Sequence, residues 1–274
     1  MTKGMRSNLH THTYFSDGHS TPEEYIQAAL KAGLNSIGFS DHSYAPFDTG
    51  HPMKSDAMPE YLSVLGALKE KYKEQIEVYI GLEGEGLCMP SRDGLDYLIG
   101  GVHFFKDEAT GRYYSDDDGP GCLELICRET GVSIRDIVEA YYKSVANTAL
   151  IYKPDIIAHL DLVVKFNEGG RLFDTSSDWY IDAAFAAVEA IKKSGCILEM
   201  NTGGITKGLT THPYPQNHIL KRVFEVGIPM TISSDCHRYE NLTAGFDLSA
   251  ELLREVGYKS IFVLLGGKFA EVEL

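Results

Sequence analysis

Six of the seven short apolar runs that read as β-strands in this 274-residue chain deliver a histidine or a carboxylate at their C-terminal ends. The runs are Arg6–His10, Ser36–Ser40, Glu77–Glu83, Tyr97–Val102, Asp155–His159, Cys196–Met200 and Pro229–Ser233, with an eighth, Ser260–Leu264, near the end of the chain. Amphipathic helix candidates alternate with them, the pattern of a parallel α/β sheet. Thr21-Pro22-Glu23-Glu24 combines an N-cap, a proline at the first helical position and a capping-box glutamate, and Gly33 supplies the stop. Ser133 opens another helix, whose Ile137, Ala140, Tyr141 and Val145 recur at helical spacing.

In a parallel barrel the C-terminal ends of all strands form one rim. The pattern therefore gathers His10, His12, Asp17, His42, Glu83, His103, His159, Asp235 and His237 around one cavity. His10 and His12, two apart in extended backbone, present their rings to one face. A lone strand-end histidine is more often a satisfied polar residue than a ligand; nine candidates on a single rim change that balance. Nitrogen and oxygen donors without thiolate suit Zn, Mn or Fe. Nine ligands exceed one tetrahedral ion, and a carboxylate bridging two ions suits a cluster.

Length and composition narrow the choices further. One α/β barrel takes roughly 250 residues, and with no repeat or low-complexity linker the chain reads as a single domain spanning 1–274. Apolar residues at 43% and charged residues at 23% exclude disordered and fibrous classes. The longest strand-like apolar run, Ile261–Leu265, is far short of the roughly 18 residues of a membrane span. Met1–Arg6 runs into polar residues without an apolar leader, so a cytoplasmic location is expected. A net charge of −14 repels nucleic acid and anionic membranes. The five cysteines are odd in number and form no C-x-x-C pair, against a disulfide framework and against a zinc finger; Cys236 reads as core packing. Lys106–Gly121 and Asn167–Ser177 read as rim loops, and Asp116–Asp118 within the first as a solvated acidic turn. Of the histidines outside the set, His51 and His212 read as turn residues, with facing the substrate as the alternative for either, and His218 as helical.

The series His10-Thr11-His12, Ser40-Asp41-His42, Gly81-Leu82-Glu83, Gly101-Val102-His103, Ala158-His159 and Ser234-Asp235-Cys236-His237 resembles the polymerase and histidinol phosphatase (PHP) superfamily, most closely its histidinol-phosphate phosphatase branch. His159-Leu160-Asp161-Leu162 and Asn201-Thr202-Gly203-Gly204 extend the resemblance over nearly the whole chain. It implies a distorted (β/α)7, TIM-like barrel holding three divalent ions (Zn, Mn or Fe). The implied activity is that of a metal-dependent phosphomonoesterase, hydrolysing L-histidinol phosphate to L-histidinol and phosphate in histidine biosynthesis. By the same resemblance His10, His12, Glu83 and Asp235 hold the first ion. Glu83 bridges to a second held by His103 and His159, and Asp17, His42 and His237 hold the third. The nucleophile is then a metal-bound hydroxide rather than a side chain. Where histidinol phosphatases place phosphate-gripping arginines, this chain has Lys165 and Lys207, with Arg171 and Arg238 as nearby alternatives. Lysines attract phosphate as point charges and orient it less strictly than an arginine fork. Two other readings stay open: a phosphoesterase of another small phosphate ester, nucleotide or DNA end, and a non-catalytic metal-binding module. The missing basic face argues against DNA, and the complete ligand set argues against a retired site.

Overall fold

The structure, a computed structural model, describes residues 6–274. Residues 1–5, most of the stretch read as lacking a leader, lie outside the described residues. The chain opens with four parallel strands, β1 (Ser7–Asn8), β2 (Ser36–Phe39), β3 (Glu77–Glu85) and β4 (Tyr97–Gly101). An antiparallel hairpin, β5 (Phe104–Lys106) and β6 (Tyr113–Ser115), follows, and then β7 (Ile156–Ile157), β8 (Ile197–Asn201) and β9 (Met230–Ser233). The main sheet has seven parallel strands in the order β1-β2-β3-β4-β7-β8-β9. It curls until its edges meet: Thr11, just past β1, bridges Cys236, just past β9, and the His12 N–H donates to Cys236 O at 3.0 Å. The ring is thus tied at its C-terminal rim, where the candidate ligands lie.

Helices α1 (Pro22–Ala32) and α2 (Met58–Tyr72) connect β1 to β2 and β2 to β3. No helix joins β3 to β4. Helices α3 (Cys122–Thr130) and α4 (Ile134–Asn147) lead to β7, α5 (Asp178–Ser194) to β8, and α6 (Gly203–Thr206) with α7 (Asn217–Glu225) to β9; α8 (Phe246–Val256) follows β9. Local chemistry accounts for the ends. Thr21 accepts from the Glu24 N–H at 3.2 Å while Glu24 accepts from the Thr21 N–H at 2.8 Å, and Gly33 stops α1 at φ +72°. In α4, Ser133 caps the start, and Ile137, Tyr141 and Val145 are buried as the spacing predicts.

Inside the barrel Leu9, Tyr79, Tyr97, Ile99, Ile156 and Ile197 form a packed interior. Tyr97 reaches across it and donates to Leu9 O at 2.5 Å. It fits because β2 and β3 carry glycine where it passes: a Cβ on Gly38 would lie 2.3 Å from its hydroxyl, and one on Gly81 2.5 Å from its ring. The eighth apolar run forms β10 (Ser260–Leu265), which pairs antiparallel with β11 (Lys268–Glu273) outside the barrel sheet. Leu264 packs into the barrel interior and Leu264 O accepts from Ser36 Oγ at the start of β2, so this hairpin plugs the N-terminal end. The loop expected over Lys106–Gly121 contains β6 and the turn of a hairpin. Its aromatic residues have partners there: Tyr113 stacks on Phe47 from the β2–α2 loop at 4.0 Å between centroids. Among the described residues no helix is long and apolar enough to cross a membrane.

Candidate metal centre

All nine side chains singled out in the sequence converge on the C-terminal rim. His10 and His12 follow β1 and are completely buried. Glu83 is in the last turn of pleat of β3, at 1% exposure, and each of its oxygens faces a different group of histidines. Oε2 lies 3.1 Å from His10 Nε2, 3.5 Å from His12 Nε2 and 3.1 Å from His42 Nδ1. Oε1 lies 3.0 Å from His159 Nε2 and 3.4 Å from His103 Nε2. Asp235 Oδ1 completes the first group, 3.1 Å from His12 Nε2 and 3.6 Å from His10 Nε2. Asp17 is 3.0 Å from His237 Nε2 and 3.9 Å from His42 Nε2, a further group beside the first. Asp235 aims its carboxylate inward from a left-handed backbone, φ +47°, a conformation that aspartate tolerates better than most side chains.

The donor chemistry fits cations. Among the described residues, His10 Nε2, His12 Nε2 and Glu83 Oε2 are buried without hydrogen-bond partners although they face one another at these distances. Buried polar atoms are rarely left so, and converging lone pairs are what a divalent ion requires. The electrostatics agree. Burial and the neighbouring His42 and His237 rings push His12 down to about 3, leaving it a neutral nitrogen donor. Burial opposes charge on Glu83 too, but His10, His103 and His42 outweigh it and hold the carboxyl well below its usual range. His103 is raised to about 10 because Glu83 and Glu85 overcome its burial. The site favours positive charge, and ions satisfy that demand better than protons on nitrogen.

Three buried carboxylates behind the rim escaped the sequence reading. Glu199, in the middle of β8, accepts from His10 Nδ1 at 2.9 Å and from the His159 N–H at 2.8 Å, turning His10 Nε2 toward the centre. Glu85, two residues after Glu83 on the same face of β3, contacts His103 Nδ1 at 3.1 Å. Asp41 accepts from the Thr13 and Ser16 N–H groups at 2.7 and 3.1 Å, pinning the turn that carries Asp17. Such partners orient metal-binding histidines and fix their tautomer. The available signal was a charged residue inside an apolar strand, Ile197-Leu198-Glu199-Met200, and the period-2 spacing of Glu83 and Glu85.

A cavity of about 210 Å³ opens over the cluster, and Lys165, Gly203, Gly204 and Lys207 are among the residues that line it. Lys165 donates to Asp117 Oδ2 and to Asp117 O, both at 2.9 Å. The acidic turn is therefore not simply solvated: Asp117 reaches into the cavity wall, and Asp116 is 3% exposed. The alternatives to the lysines lie elsewhere. Arg171 pairs with Glu124 at 2.6 Å at the surface, Arg238 is exposed, and neither lines the cavity. His51 does line it, held between Asp48 at 3.3 Å and Asp118 at 3.4 Å, the substrate-facing alternative to a simple turn residue. Cys236 packs in the core as expected, and all five cysteines are free.

A parallel seven-stranded barrel with clustered histidine and carboxylate donors on its C-terminal rim defines a class of metal-binding α/β proteins. A family model described as the PHP domain matches residues 8–203, and the chain belongs to that family. A protein named "Probable histidinol-phosphatase" from Deinococcus radiodurans is 31% identical over 273 residues, covering 95% of this chain and 96% of the relative. The histidinol-phosphatase of Bacillus subtilis is 28% identical, with 84% of this chain and 92% of that protein covered. The crystal structure of histidinol phosphate phosphatase from Lactococcus lactis, complexed with Zn, L-histidinol and phosphate, has the same fold. Its TM-score is 0.72 at 20% identity, covering 97% of this chain and 98% of that one.

Proposed function

We propose that this chain is a metal-dependent phosphomonoesterase that hydrolyses L-histidinol phosphate to L-histidinol and phosphate, with the whole chain acting as one domain in the cytoplasm. The observation that carries the reading is Glu83, whose two carboxylate oxygens face separate histidine groups in a buried site. The relatives' names point to the same substrate.

In this reading His10, His12, Glu83 and Asp235 hold one divalent ion. Glu83, His103 and His159 hold a second, and Asp17, His42 and His237 a third. Zn, Mn and Fe are the candidates for such donors. Bound ions supply Lewis acidity and an activated water, so no side chain need attack phosphorus. The protein's own residues position the reactants. Glu199 and Glu85 keep His10 and His103 turned inward, and Asp41 holds the Asp17 turn. Lys165 and Lys207 attract the phosphoryl group, Lys165 from a position fixed by Asp117. In-line displacement at phosphorus depends mainly on such positioning and charge neutralisation.

The test is kcat/KM of the purified chain, loaded in turn with Zn, Mn and Fe, for histidinol phosphate, its deaminated analogue and a nucleoside monophosphate. A clear preference for histidinol phosphate is expected. Equal values for all three would leave a broad phosphoesterase, and no turnover with any metal would remove the enzymatic reading.

A further inference from the structure

Tyr214 places a buried hydroxyl at the cavity with Thr210 as its polar neighbour. The residue is 2% exposed, its Oη makes no hydrogen bond of good geometry among the described residues, and it lines the cavity that Lys165, Lys207 and Asp235 also line. The neighbouring Thr210 hydroxyl donates its proton to His212 O at 2.8 Å, so it does not donate to Tyr214. The ring cannot drift away from this position. Tyr214 N–H donates to Asn201 O and Asn201 N–H to Tyr214 O, both at 2.8 Å, which ties the residue to the end of β8. The ring packs in the main hydrophobic core, and its hydroxyl passes Gly204 so closely that a Cβ there would lie 2.7 Å away. Burial also holds the phenol well above its ordinary pKa, so it remains a donor.

We propose that the Tyr214 hydroxyl donates a hydrogen bond to a phosphoryl oxygen of the bound ester, an assignment that rests on the phosphate-ester reading above. A buried donor left unsatisfied is uncommon and costly, and one facing a cavity is satisfied by what the cavity binds. Among the charged side chains lining that cavity, Lys165 and Lys207 are the non-histidine cations. The group that lysines and a phenol can all address is an anionic oxygen. The phenol also supplies what lysines lack. A lysine attracts phosphate with little directional preference, whereas a rigid aromatic side chain fixes the direction of its donor. Tyr214 therefore orients the phosphoryl group that the lysines attract.

The test is Tyr214→Phe in the metal-loaded full chain, which keeps the ring and removes only the hydroxyl. Calorimetric binding of inorganic phosphate decides the assignment, and melting and turnover accompany it. Phosphate should bind about 3- to 10-fold more weakly, the range of one hydrogen bond. The ratio kcat/KM should fall roughly 10- to 100-fold for every phosphate ester alike. Melting without phosphate should be unchanged or slightly higher, because the variant loses a buried group without a well-formed hydrogen bond. Unchanged phosphate affinity would overturn the assignment whatever happens to turnover. A lower melting temperature with phosphate affinity unchanged would give the hydroxyl a structural role instead. If the wild-type chain binds phosphate but hydrolyses no ester, the proposed function fails while the binding comparison still judges Tyr214.

Discussion

Glu83 is the side chain on which the site turns. Its two oxygens face His10, His12 and His42 on one side and His103 and His159 on the other. A bridging carboxylate holds two cations and screens their repulsion, whereas each histidine serves one. Glu83→Gln keeps the shape and removes the charge, so metal content should drop and kcat should fall at least as far as in His42→Ala. Elemental analysis with steady-state kinetics checks this; a variant with full metal content and near-normal turnover contradicts the bridge. The lysines make a second prediction at this scale. Replacing Lys165 or Lys207 by Ala should cost about 2–4 kcal/mol in kcat/KM for all phosphate esters, as for a charged donor in such a site. For Lys165 the loss should be accompanied by release of Asp117, its partner at 2.9 Å. Unchanged kinetics in both variants would take the lysines out of the site. Period-2 alternation and strand ends made the nine ligand candidates legible in the sequence. Glu199 was not, because it acts from behind His10 across 189 residues of chain.

Among the elements, β3 carries the most. It presents Glu83 and Glu85 to the rim while Gly81, on the same face below them, makes room for the Tyr97 ring. Gly81→Ala would place a methyl group 2.5 Å from that ring, with no flexible side-chain end to yield. Overpacking of this kind typically costs about 1–3 kcal/mol, so a lower denaturation midpoint is expected, measured by urea unfolding of the metal-loaded chain. An unchanged midpoint would mean that Tyr97 repacks freely. The order of strands and helices could be read from apolar runs and caps, as at Thr21 and Gly33. The β5–β6 hairpin could not. Its strands are three residues each, and its stability comes from aromatic contact with Phe47 in a distant loop rather than from a pattern of its own. The eighth apolar run was legible as a strand but not as half of a hairpin, since its apolar side chains serve the barrel floor without joining the barrel sheet.

At the scale of the molecule, an acidic chain of net charge −14 concentrates buried carboxylates at one end of a barrel. Cations should therefore contribute to stability as well as activity. Chelation is expected to abolish phosphatase activity and lower the melting temperature, since ions bound only by the folded state stabilise it by about 4 kcal/mol at a thousandfold excess over Kd. Re-addition of Zn, Mn or Fe should restore both, and full activity in protein shown metal-free by elemental analysis would remove the metal reading. The sequence by itself determined which donors stand at the rim, because parallel strands in a barrel must all end on one face and their residue types are written at those ends. Tertiary structure decided the rest. It set which oxygen of Glu83 meets which histidine and paired Lys165 with Asp117. It also left Arg171 and Arg238 away from the cavity and brought the buried Tyr214 hydroxyl to its wall. Those outcomes depend on how far the sheet curls before Thr11 meets Cys236. Curvature is a property of the packed interior as a whole, and no local stretch of residues encodes it.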